Sequence, residues 1–125
     1  MVDVDAAAVA LAMGNAALAT AVSNRIYGGD APPVDYDPSD GVVCLKSRGG
    51  QTRYDPLINA SIQVKCYGAT PPAAWQIYQL TYNALHEARN GQVTFSQSEV
   101  TGQQLTEPGT GRVFILAYFR MDIRP

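Results

Sequence analysis

Histidine occurs once, at position 86, and cysteine twice, at 44 and 66, in a chain of 125 residues. Neither cysteine belongs to a CxxC pair, and no His–Cys cluster has metal-ligand spacing. The spacing argues against a zinc site built from this chain alone. Both cysteines lie in apolar, strand-like runs and are expected to be buried, reduced thiols. An excess of positive charge is also missing. Nine Lys and Arg face eleven Asp and Glu, for a net charge of −2. Broad nucleic-acid binding is driven by neutralising phosphates, so that class is disfavoured, although a local basic loop stays open. Lysine is scarce, at two against seven arginines, and arginine's forked contacts are favoured at interfaces. No long uninterrupted apolar run exists. Ala6–Val22 comes nearest, but it follows Asp3 and Asp5 rather than a basic segment, and it contains Gly14, Asn15 and Thr20. It fits neither a secretory leader nor a membrane span, and a soluble, cytoplasmic chain without a membrane partner is expected.

What remains is an ordinary globular composition, 46% hydrophobic and 16% charged. At this length a single domain over 1–125 is expected, and a chain of this size buries roughly two thirds of its unfolded surface. Val2–Val22 reads as one helix, with Val4, Ala8, Leu11, Leu18 and Val22 at helical spacing, Asp3 or Asp5 as its cap and Ser23-Asn24 as its stop. Arg25-Ile26-Tyr27 looks extended. The Gly28-Gly29 and Pro32-Pro33 pairs and the acidic run Asp35, Asp37, Asp40 then make 28–41 a long connection.

Val42–Leu45 reads as a short strand. From Ile58 to Tyr67 apolar and polar residues alternate, and this period predicts a strand with one buried face. The two strands are expected to pair as a hairpin whose long tip spans Arg48–Pro56. Thr70 with Pro71 starts a helix over Ala73–Arg89 that Asn90-Gly91 ends. Trp75, Tyr78 and Tyr82 on it are expected in the core. A strand over Gln92–Ser96, extendable through Val100, precedes the strongest strand, Val113–Ile123, whose apolar start predicts a central, doubly covered position. The order helix, hairpin, helix, hairpin predicts an α+β fold: a four-stranded, mainly antiparallel sheet with two helices on one face.

Chemistry is thin. His86 near a helix C-terminus has no serine or cysteine motif beside it. It reads as a surface or interface histidine rather than a general base. The acidic run lacks the glycine and distal glutamate of a calcium loop, and Gly28-Gly29 lacks the lysine and helix of a phosphate loop. No catalytic residue, metal or cofactor is expected, and the chain is not expected to be an enzyme. Candidate partner-contact residues are Lys46, Arg48 and Arg53 at the first hairpin tip, with Arg25, Tyr27 and Asp30.

The segment Arg25–Pro33 follows an Ala-rich helix ending Ala21-Val22-Ser23-Asn24. It precedes a short strand, a strongly alternating strand, and Gly68-Ala69-Thr70 before a helix bearing Trp75 and Tyr78. This arrangement, over about residues 4 to 122, resembles the tail terminator or tail-completion proteins of long-tailed bacteriophages. The resemblance implies a small α+β subunit of a hexameric ring on the tail tube, located in the virion and assembled in the host cytoplasm. Its partners would be the tail tube protein and the head-completion or connector protein. DNA would pass through the lumen without its sequence being read, and an acidic chain suits that passage. A head-completion or stopper protein of the neck, and a small dimeric ligand-binding α+β domain, are the alternatives.

Overall fold

Glycine is the weakest ordinary helix former, and asparagine caps helices better than it continues them. Gly14-Asn15 accordingly breaks the helix expected over Val2–Val22 into two. In the computed structural model α1 spans Val4–Met13 and α2 spans Ala16–Ala21. The structure describes residues 3–33, 41–48, 52–54 and 57–124, with the backbone alone at 52–54 and 57. The acidic run Asp35–Asp40 and the Gly49-Gly50 pair lie outside the described residues. Asp3 caps α1 by accepting the Ala6 N–H at 3.0 Å, and Asn15 caps α2 by accepting that of Leu18 at 3.0 Å. Asp5 does something else: its carboxylate accepts the Ser47 N–H at 2.7 Å and ties the first turn of α1 to the sheet. Ser23 and Asn24, both at positive φ, stop α2 as expected.

Among the described residues, six strands form one mixed sheet. They are β1 (Ile26–Gly28), β2 (Val42–Ser47), β3 (Thr52–Tyr54), β4 (Leu57–Gly68), β5 (Val93–Thr106) and β6 (Val113–Ile123), and α3 (Pro71–Leu85) lies between β4 and β5. The order across the sheet is β1-β2-β4-β6-β5, with β3 paired to β4. All pairings are antiparallel except β1 with β2. The expected α+β class and both hairpin pairings are present. The sheet gains β1 and β3, and the split first helix makes three helices instead of two.

Two further expectations are corrected. The tip expected over Arg48–Pro56 is not one long loop, because β3 rejoins β4 just beyond β2: Ser47 is opposite Ile62 and Thr52 is opposite Asn59. The second helix ends at Leu85 rather than Arg89. His86 is its C-cap, and Glu87, not the Asn90-Gly91 pair, takes the left-handed conformation.

The helices cover one face. Val43, Leu45, Ile62, Val64, Cys66, Ile115, Ala117 and Phe119 point there and bury against Leu11, Leu18, Ile77 and Leu85. β6 is flanked by β4 and β5 as expected, but its burial alternates, so double cover is confined to its start, where Phe114 and Ile115 are both buried. Tyr78 joins the core. Trp75 stays partly exposed and donates its indole N–H to the Gln104 side chain at 3.0 Å.

The seat of α3 depends on one missing side chain. A Cβ on Gly68 would stand 2.5 Å from the Ala74 nitrogen and 2.9 Å from the Ala73 carbonyl carbon. Backbone cannot retreat as a flexible side chain can. Gly68→Ala is therefore expected to destabilise the fold by about 3 kcal/mol, read from the urea midpoint, with an unchanged slope.

Candidate functional site

The face turned away from the helices needs another way to be stable, and it uses two devices. Alternation along β4 sends Asn59, Ser61, Gln63, Lys65 and Tyr67 there, and along β6 it sends Phe114, Leu116, Tyr118, Arg120 and Asp122.

At one end these side chains form a polar chain across three strands. Ser61 donates its hydroxyl to one oxygen of Glu99 at 2.6 Å. Arg120 donates to the other oxygen through Nε at 3.0 Å and Nη2 at 2.7 Å. Arg120 Nη1 also donates to Asn59, whose amide donates to Asp122 at 2.7 Å. Glu99 reaches this network from a register shift between Ser98 and Val100 in β5, the kind of irregularity that re-aims a strand side chain. Beside it, the Arg48 guanidinium lies 4.3 Å from the centre of the Tyr118 ring.

At the other end Val42, Cys44, Tyr67 and Phe114 make a second, small apolar core, with Tyr27 and Leu116 packed against it. Its borders are polar. Asp30 accepts from Gln63 at 2.7 Å and pairs with Lys65 at 3.2 Å. Glu107 accepts the Tyr67 hydroxyl at 3.0 Å and the Thr110 hydroxyl at 2.7 Å.

The electrostatics follow from these contacts. The Ser61 hydrogen bond, then those of Arg120, hold the Glu99 carboxyl below its ordinary 4.5. Thr110 and then Tyr67 do the same for Glu107, and Gln63 and then Lys65 for Asp30. Burial pushes both cysteine thiols up to about 12, so at neutral pH they are protonated and weakly nucleophilic. Burial, followed by the Glu107 contact, pushes the Tyr67 phenol up as well.

The candidate contact residues divide. Tyr27 packs against the second core, and Asp30 at its border pairs with Lys65, whose ammonium lies 5.1 Å from the centre of the Phe114 ring. Arg25 donates from Nε to the Gly41 carbonyl at 3.1 Å, just ahead of β2. Lys46 stands exposed within β2. Arg48 directly follows that strand and donates its backbone N–H to Ser61 at 3.1 Å, so neither residue sits on a free tip. Arg53 is in β3 opposite Ile58, and its side chain is outside the described residues. His86 accepts the Ser98 N–H on Nδ1 at 3.1 Å and stacks on Tyr82, which ties the end of α3 to β5.

Glu99, Arg120 and Glu107 escaped the sequence reading. The spacing Tyr118, Arg120, Asp122 in an apolar strand carries a signal for the polar face. Glu99 carries none, because only the register shift turns it inward. Among the described residues, no cluster of three or more His, Cys, Asp and Glu is arranged to hold a metal, and no helix is long and apolar enough to cross a membrane.

This architecture has a solved counterpart. The chain is similar to one in the virion of a native gene transfer agent particle, with a TM-score of 0.68 and 15% identity, over 98% of this chain and 95% of that one. At that identity the likeness shows the fold. No protein-family model and no curated protein matches the chain.

The three carboxyls give the fold a defined acid response. Groups held below their ordinary values stabilise the fold fully above those values and lose that contribution as pH falls through the lowered ones. Stability is thus expected to decline with acid below 4.5 for Glu99 and Glu107 and below 3.8 for Asp30. Glu99→Gln should lower stability by about 1 kcal/mol at neutral pH and by less at about pH 3, measured by urea unfolding at both.

Proposed function

We propose that the chain is a structural virion protein of a long-tailed phage or phage-like particle. It acts as the tail terminator, a hexameric ring at the head-proximal end of the tail tube that ends tail polymerisation and joins tail to head. The observation that carries this reading is the match of fold to a gene transfer agent virion chain, which spans nearly the full length of both proteins.

The character of the exposed groups supports the same reading. The Glu99 carboxylate of the helix-free face is hydrogen-bonded to Ser61 and paired with Arg120, and the thiols are buried and protonated, which supports a contact-making rather than a catalytic reading. The chain has no catalytic role in this account. The tail tube protein and the head connector are its partners beside further copies of itself. The net charge of −2 lets DNA pass without retention.

A stopper protein of the neck fits the same fold, and the phenotype of its loss separates the two. Deleting the chain from the genome that encodes it is expected to give tails of uncontrolled length that fail to join heads, seen by negative-stain microscopy. Tails of uniform length, with only the joining lost, would assign the neck stopper instead. Infectious particles of normal form would remove the chain from virion structure altogether.

A further inference from the structure

Edge strands offer unpaired N–H and C=O groups, and soluble proteins usually guard them with charge, proline or cover. The outer edge of β5 is guarded along its first half, and farther on Gly102 donates its N–H to the Tyr78 hydroxyl at 3.0 Å. Along that first half the residues after α3 lie against it: Asn90 donates to Val93 at 2.8 Å, and Ser96 donates to Ala88 at 2.9 Å. From Val100 to Thr106 the strand has neither charge nor proline, and no strand lies beyond it among the described residues. Phe95, Val100 and Leu105 are exposed on β5, opposite Asp122, Tyr118 and Phe114 on the helix-free face.

Among the described residues the opposite edge of the sheet is β1, and the register places the two edges at one level. Ile26 is in line with Val43, Cys66, Ile115 and Gln104, and Tyr27 with Cys44, Lys65, Leu116 and Gln103. Strand direction also agrees. β5 runs along β4, and β1 runs against it, so β5 of one copy would meet β1 of the next as an antiparallel pair.

Just below, the edges differ in charge. An open groove of about 490 Å³ beside β1 is lined by Asp3, Asp5, Ala6, Val9, Ala10 and Gly28. On the other edge, Arg89 follows Ala88, which bridges to Ser96, and Arg124 donates its backbone N–H to Gln92 where β5 begins. Among the described residues neither arginine has a carboxylate partner.

We propose that a second copy of this chain occupies each edge: the open half of β5 pairs with β1 of its neighbour, and the segment after α3, carrying Arg89, enters the neighbour's Asp3–Asp5 groove. The contact is head-to-tail, so each copy has one of each surface, and repetition through a rotation that closes gives a ring. The inference rests on the ring reading of the function and specifies which surfaces close the ring.

Two exposed substitutions test it. Val100→Asp spoils the β5 edge, and Ala6→Arg fills the groove and repels Arg89. Each variant is checked by circular dichroism for an unchanged fold and then measured by native mass spectrometry, alone and mixed. The wild type should form a closed oligomer and each variant alone a monomer. The mixture should give one-to-one dimers, since one variant keeps the groove and the other keeps the β5 edge. Variants that still assemble, or a mixture that stays monomeric, would overturn the edge assignment while leaving a ring of the wild type intact. A wild-type chain monomeric up to about 1 mM, the range of the weakest specific contacts, would overturn both the edge assignment and the ring.

Discussion

The antiparallel ladder between β4 and β6 is the constraint from which the rest of the molecule follows. It runs without interruption from Ile58–Ile123 to Gly68–Val113. One strict register along two strands fixes which side chains face the helices and which face away, because a slip of one residue would exchange the two sets. It places Gly68 under the first turn of α3, where only a glycine lets helix and strand approach. It also sets Ser61 and Arg120 opposite each other, so that one carboxylate, Glu99, can bridge both.

Among the described residues, helices cover the sheet on one side only, and that asymmetry gives the molecule its outward character. Toward the helices it has a large apolar core. On the other side a small apolar cluster and a satisfied polar chain replace a second layer. The two edges are unlike each other, one an uncharged strand half and the other a three-residue strand beside an acidic groove. Unlike edges favour chains and rings over two-fold dimers.

Much of this was legible in the sequence. The alternation from Ile58 to Tyr67 gave β4 and both of its faces, and Thr70-Pro71 placed the start of α3 correctly. Arg25–Tyr27 was recognised as extended, although nothing local marks it as the parallel partner of β2. The first helix was misjudged because its apolar spacing continues through Gly14-Asn15, while the backbone preference of that pair overrides the spacing. Lys46 and Arg48 were assigned to a tip because β3 is too short to show a period. The candidate surface was the hardest part to read. Its network depends on a register shift that brings Glu99 across to Ser61 and Arg120, and contacts between strands distant in sequence leave no local pattern.

The most direct test of the central claim, a ring-forming virion subunit, is an electron cryomicroscopy map of the intact particle that encodes this chain. The expected map has a closed ring of copies at the junction of tail tube and head, with β5 of each copy running antiparallel beside β1 of the next. A map in which the chain is absent from the particle, or present as isolated copies without contact between them, would contradict it.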